Sequence, residues 1–240
     1  MEGDADTRRV WVIGIGAGDP AWMTLAAVRA LETVDVVFVF QKGDDDELAL
    51  ARRSLLPEGV REVVIEDPPR GRGAAAVAAW RARRVALVQE AVAAEAGEAA
   101  FLAWGDPSLY DGLIDVLREA GLGVRVVPGI SAVSALCAQF GIPLNRVGGS
   151  VLITSGRRLV AEGWPTGVGD VVVMLDADLT FKRFPEAEIY WGAYLGTPDE
   201  LLLSGVVAEV SDEIERVRSE ARRRKGWMFD TYLLRRAAPG

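Results

Sequence analysis

Four short runs in the first half of the chain, residues 10–15, 34–40, 99–104 and 124–127, are dominated by apolar side chains. A strand with one face in water alternates apolar with polar residues, whereas a strand covered on both faces need not. Helical patterns lie between the runs at 20–31, 74–96 and 108–119, and 60–65 reads as one more strand. This β-α-β-α order predicts a mostly parallel sheet flanked by helices. After about residue 145 the character changes. Runs at 150–154, 170–175, 189–195, 201–210 and 228–234 read as strands with fewer helices between them, and 163–169 as a Pro/Gly-rich loop. Residues 211–225 form one clear helix, whose basic last turn, Arg222-Arg223-Arg224-Lys225, complements the helix dipole. Two α/β domains, 1–145 and 146–240, are the simplest account, and ligands favour the junction of domains.

Composition narrows the function. The net charge of −8 argues against a nucleic-acid partner, because phosphates call for a basic face. There is no histidine, and Cys137 is the one cysteine, so no metal site is expected and acid–base work falls to Asp, Glu, Tyr, Lys or water. A lone cysteine suits a reducing compartment. Residues 1–6 are acidic with no apolar core, so no signal peptide is expected. No apolar run reaches the ~18 residues of a membrane span, so the expected location is the cytoplasm. Arg81, Arg83 and Arg84 are expected on a solvated helix face.

The loop "GIGAGDP" at 14–20 looks like a dinucleotide fingerprint but fails it. Asp19 stands where the third glycine of G-x-G-x-x-G belongs, and the second apolar run ends in Gln41 and Lys42 rather than an acidic residue. Two further loops follow apolar runs: "WGDPSLY" at 104–110 and "VPGIS" at 127–131. In an open parallel sheet such loops share one edge, where ligands bind. Gly105 allows close backbone approach, Asp106 can accept from hydroxyls or an amine, and Ser131 and Ala132 open a helix whose free N–H groups suit a carboxylate. Together they describe a site for a small nucleoside-like ligand without phosphates.

These three motifs, "GIGAGDP", "GDPSLY" and "VVPGISA", resemble those of the tetrapyrrole methylases. The segments "GIPLNRVGGSVLITSGRRL", "VVVMLDADLTF", "IYWGAYLGTPDELLLSG" and "GWMFDTYLLRR" extend the likeness into the second half. It spans nearly the whole chain except the first eight residues and the Ala/Arg-rich stretch around 66–98. The resemblance implies two α/β domains, a mostly parallel N-terminal sheet and a mixed C-terminal sheet, with the active site in the cleft between them. It implies S-adenosylmethionine (SAM) as methyl donor, a tetrapyrrole substrate and a homodimer, with no metal. Motif by motif, the donor contacts would come from Ala17, Trp104, Gly105, Asp106, Leu109, Ser131, Ala132, Met174 and Gly196. Ala17 stands where proline is frequent, and Trp104 where glycine is. The C-terminal segments point to a member that methylates a ring carbon and releases a two-carbon unit as acetate. Asp19 is then a candidate proton acceptor, or alternatively a cap for the helix after it. Arg146, Arg157, Arg158, Lys182 and Arg183 are candidates for the substrate's carboxylates. Other members acting on other tetrapyrroles, a nicotinamide-dependent oxidoreductase and a non-catalytic carrier are the alternatives.

Overall fold

Strand β1 (Arg9–Gly14) lies between β4 (Ala99–Ala103) and β5 (Gly123–Val127), with Val10, Val12 and Ile13 sealed from solvent. With β2 (Val36–Gln41) and β3 (Arg61–Glu66) they form a sheet of order β3-β2-β4-β1-β5, paired in parallel throughout. This computed structural model describes residues 8–43, 47–226 and 228–236; the acidic segment 1–6, read as no signal peptide, lies outside the described residues.

The sheet explains why its strands lack alternation. Val36 and Phe38 pack into one apolar cluster with Val88 and Val92 of α3 (Ala74–Ala93) and Leu113, Val116 and Leu117 of α4 (Leu113–Glu119). Val37 and Val39 point the other way, into a cluster with Ala27, Ala30 and Leu31 of α1 (Leu25–Leu31) and Ala49 of α2 (Glu47–Arg53). Both strand faces are buried, so both carry apolar residues. The facing pair Phe38 and Phe101 stack with centroids 5.0 Å apart.

Several boundaries differ from expectation. The helix expected over 20–31 is a 3-10 turn (Pro20–Trp22) followed by α1, because the Thr24 side chain caps α1 by accepting from the Ala27 N–H at 3.1 Å. Helix α4 starts at Leu113, not 108, and α2 was not anticipated. Arg84 is not solvated: its side chain is 14% exposed, pairs with Asp67 at 3.0 Å, and lies over the rings of Phe40 (4.0 Å) and Trp80 (4.8 Å). Burial lowers its pKa despite the Asp67 carboxylate. Arg81 sits at the surface against Glu119, and Arg83 is exposed.

The second sheet is mixed, in the order β6-β7-β10-β8-β9. Its strands are β6 (Val151–Ser155), β7 (Asp170–Met174), β8 (Glu188–Ala193), β9 (Leu201–Val206) and β10 (Asp230–Arg235). Only β6 and β7 pair in parallel. Met174 is in register with Ser155 and Thr231, and Thr231 with Gly192, so the ends of β6, β7 and β8 share one edge. Helices α5 (Ala132–Phe140), α6 (Gly156–Glu162) and α7 (Val207–Lys225) complete this half. The strand expected over 201–210 ends at Val206, where α7 begins without a loop.

By packing, the chain divides into Met1–Gly16 with Pro20–Ile130, and Ala17–Asp19 with Ser131–Gly240. The division falls before α5, not at 145, because α5 packs on β8 and β10. Among the described residues no helix is long and apolar enough to cross a membrane.

Candidate functional site

In the first unit, three loops leave the carboxyl ends of β1, β4 and β5, and their glycines make the close fit possible. A Cβ on Gly14 would lie 2.6 Å from the Gly129 nitrogen and 2.8 Å from Pro107 Cδ. One on Gly129 would lie 2.1 Å from the Gly105 carbonyl. Gly105 N–H donates to the Gly16 carbonyl at 2.8 Å, and Gly16 N–H donates back at 3.2 Å. Both glycines have positive φ, a region that L side chains rarely adopt.

Asp106 joins two of these loops. Its Oδ1 accepts from Ser108 N–H at 2.8 Å and from the Ser108 hydroxyl, and its Oδ2 accepts from Gly129 N–H at 3.0 Å. Partial burial pushes this carboxyl up, but the hydrogen bonds from Ser108 and Gly129 outweigh that and hold it below its ordinary value. Both oxygens are therefore already engaged within the protein. Leu109 is half-buried in the same loop, where its N–H donates to the Asp106 carbonyl. Trp104 packs partly into the apolar cluster of Ile13, Ile15 and Val127.

The second unit holds the other expected residues. Ala17 is buried, and a Cβ on neighbouring Gly18 would lie 2.0 Å from the Leu195 carbonyl. The glycine loop thus runs against the turn that carries Gly196. Asp19 is half-buried; it does not cap α1, a role that Thr24 fills. Ser131 is the N-cap of α5 and accepts from Ser134 N–H at 3.2 Å, so Ala132 is the first helical residue. Gly196 N–H donates to Glu200 Oε2 at 2.7 Å, and the same oxygen accepts from Gln139 of α5 at 2.8 Å. Glu200 thereby ties α5 to the Gly196 turn, a role that nothing in its local sequence signals. Met174 is half-buried at the end of β7.

Among the described residues, four non-glycine residues have left-handed backbone: Tyr110, Leu175, Leu179 and Tyr194. Three fall in the loops named above, next to or within two residues of Leu109, Met174 and Gly196. Each costs about 1–3 kcal/mol, which persists only where the surroundings over-determine it.

Three of the five basic candidates already face acids. Arg146 lies 3.8 Å from Asp170, Arg158 pairs with Glu162 at 2.7 Å on α6, and Lys182 reaches Glu215 at 2.5 Å and Asp212 at 3.3 Å. Arg157 is exposed beside Arg158 on α6, and Arg183 is exposed beside Lys182 in the 3-10 turn Thr180–Arg183. Among the described residues, no group of three or more His, Cys, Asp or Glu could hold a metal ion.

A parallel sheet whose glycine loops meet back to back, followed by a mixed sheet with strained turns on one edge, is the arrangement of a known class. The chain belongs to the Tetrapyrrole (Corrin/Porphyrin) Methylases, whose pattern it matches over residues 9–211. Within that family it is 43% identical, over 98% of both chains, to a precorrin-6A synthase [deacetylating] of Sinorhizobium sp. A crystal structure from Corynebacterium diphtheriae, described as a cobalamin-synthesis-related protein (CobF), superposes with a TM-score of 0.78 at 31% identity, covering 95% of this chain and 98% of that one. A uroporphyrin-III C-methyltransferase of Thermus thermophilus, complexed with S-adenosylhomocysteine, shares the fold at TM-score 0.62 and 22% identity, covering 94% of this chain and 91% of that one.

Proposed function

We propose that this chain is a SAM-dependent C-methyltransferase of cobalamin biosynthesis that methylates precorrin-5 at C-1 and releases acetate, giving precorrin-6A. The observation that carries this reading is the 43% identity to the Sinorhizobium enzyme across 98% of both chains. The match to a plant uroporphyrinogen III methyltransferase is weaker, 30% identical and covering only 44% of that protein, which favours the first assignment over another member of the family.

The residues fit a nucleoside-like donor. Gly14, Gly105 and Gly129 let the three loops of the first unit lie against one another, Ala17, Leu109 and Met174 supply apolar surface, and the Ser131 cap opens a helix towards a carboxylate. SAM supplies the methyl group. The proposed contacts are Ala17, Trp104, Gly105, Asp106, Leu109, Ser131, Ala132, Met174 and Gly196. Asp106 contributes by fixing the 104–110 loop to the 127–131 loop, so that both offer backbone groups in one geometry. Holding donor and ring carbon in line away from water supplies most of the rate enhancement.

The overall change balances: the sulfonium–methyl bond of SAM breaks as the methyl bonds to the ring carbon, leaving S-adenosylhomocysteine; water adds to the acyl carbonyl, the ring carbon–acyl bond breaks, and the two-carbon unit leaves as acetate with release of two protons. Asp19, half-buried in the glycine loop, is the proposed proton acceptor. No metal takes part, and the protein works as a homodimer in the cytoplasm. Carbon-13 methyl-labelled SAM incubated with precorrin-5 tests the assignment. The label is expected on C-1 of the macrocycle by NMR; label at another ring position would assign the chain to a different methylase.

A further inference from the structure

Two turns of the second unit have left-handed backbone at large side chains, and one buried arginine joins them. Leu175, at φ 55°, follows Met174 at the end of β7 with its side chain 63% exposed. Tyr194, at φ 51°, follows β8 and stands two residues before Gly196. Neither is glycine or asparagine, so the strain is held from outside the turns.

What holds them is a continuous polar network beneath the sheet edge. Asp176, buried, accepts at Oδ2 from Thr180 N–H and from the Tyr232 hydroxyl, each at 2.6 Å. Its Oδ1 accepts from the Thr180 hydroxyl at 2.9 Å and from Asp178 N–H at 3.1 Å. The residue after Leu175 is thus fixed at four points. On the other side, Tyr194 N–H donates to the Phe229 carbonyl at 3.0 Å, next to Asp230. Arg218 of α7, its side chain 10% exposed, bridges the two. Its Nη2 donates to the Asp176 carbonyl at 2.7 Å and its Nε donates to Asp230 Oδ2 at 2.7 Å. Trp191 Nε1 donates to the same Asp230 oxygen at 3.1 Å. Leu175, Asp176, Arg218, Phe229 and Asp230 line a cavity of about 230 Å³ at this place.

We infer that Arg218 is a positioning residue for the methyl donor, acting through Asp176 and Asp230 to hold the turns that present Met174 and Gly196. The inference rests on the proposed donor role of those two residues. A buried ion pair is weak grounds for stability alone, since desolvation offsets much of its attraction. Here the pair has a geometric result, because a planar guanidinium reaches two acceptors at once, the Asp176 carbonyl in the turn after β7 and Asp230 at the start of β10, next to the Phe229 carbonyl that holds Tyr194. A lysine ammonium, a single point charge on a flexible stem, cannot replace that fork.

The test compares wild type, Arg218→Lys and Tyr232→Phe by calorimetric titration with S-adenosylhomocysteine, by the KM for SAM against kcat, and by melting temperature. Arg218→Lys is expected to weaken S-adenosylhomocysteine binding and raise the KM for SAM by about tenfold or more, with kcat at saturating SAM nearly unchanged. Tyr232→Phe, which removes one of the four anchors of Asp176, is expected to move both in the same direction by a smaller factor. A folded Arg218→Lys protein that melts earlier but keeps wild-type affinity and KM would reduce Arg218 to a stabilising residue and overturn the inference. If Arg218→Lys does not fold, unchanged affinity in Tyr232→Phe overturns it instead. Absence of binding by wild type would remove the donor reading itself, and is read from a different sample.

Discussion

Replacing Asp106 with alanine removes two hydrogen bonds from Ser108 within its own loop and one from Gly129 that joins two loops, and the cost follows from where each lies. The bond from Ser108 N–H is exposed, and water replaces it at little cost. The bond from Gly129 N–H, at 3.0 Å, is partly buried, and that donor loses its acceptor. A hydrogen bond to a charged group is worth about 1.5–3 kcal/mol, so the variant is expected to lose about that much unfolding free energy. Urea unfolding followed by fluorescence measures it as a lower midpoint at unchanged slope. Affinity for S-adenosylhomocysteine is expected to fall as well, because the loop that offers Trp104, Gly105 and Leu109 is no longer fixed to Gly129. Asp106→Asn, which keeps an acceptor oxygen, is expected to fall between the two. The carboxyl's folded-state pKa is lowered, so its contribution is fully present above the unfolded value of about 3.9 and is lost as pH falls through the lowered folded value. Asp106→Ala with a wild-type urea midpoint would refute the clamp, and unchanged affinity would take Asp106 out of the site.

Other substitutions probe other parts of the account. Gly18→Ala places a Cβ 2.0 Å from the Leu195 carbonyl, so the glycine loop must move; donor affinity is expected to drop about tenfold or more, whereas Gly112→Ala, with open space around it, leaves titrations unchanged. Cys137→Ala is expected to keep full turnover. Burial raises the Cys137 thiol pKa, with Arg235 opposing it weakly, so the folded protein should resist alkylation at mildly alkaline pH and react once unfolded in urea. Arg84→Ala is expected to destabilise the first unit by about 2–4 kcal/mol in thermal or urea unfolding, since it strands the buried Asp67 and uncovers Phe40.

The first sheet was legible because its chemistry is local. Strands buried on both faces need apolar side chains at successive positions, and Val36 to Phe40 supply them to two different clusters. Boundaries were less legible where the deciding interaction lies in one side chain. Thr24, not Pro20 or Asp19, fixes the start of α1. At Val206 the chain passes from strand to helix with no residue between them, and Gly205 lies inside the strand, so periodicity alone could not locate the change. The meeting of the 14–20, 104–110 and 127–131 loops was legible from glycine spacing, which reflects close backbone approach. The parts missed act at long range: Arg84 stacks on the aromatic ring of Phe40 in another element, Glu200 ties a turn to α5, and Arg218 donates to a carbonyl 42 residues away. Such contacts leave no pattern in neighbouring residues. For Arg158 and Lys182 the converse holds, since charge in a sequence does not reveal that Glu162 or Glu215 already faces it.

The central claim is that one chain both methylates and removes the two-carbon unit, with the second event depending on the first. In the proposed reaction, water attack on the acyl carbonyl breaks the ring carbon–acyl bond and leaves its electron pair on the ring, and transfer of the methyl from the sulfonium of SAM consumes that pair, so acetate release is expected to depend on the donor. The most direct measurement is mass spectrometry of the macrocycle, with assay of acetate in the medium, after incubating the purified protein with precorrin-5 and either SAM or S-adenosylhomocysteine. With SAM, the expected product has gained a methyl and lost the acetyl unit, with one acetate per methyl transferred; with S-adenosylhomocysteine, no acetate forms. Acetate at the full rate without a methyl donor, or a methylated product that keeps its two-carbon unit, would contradict the account.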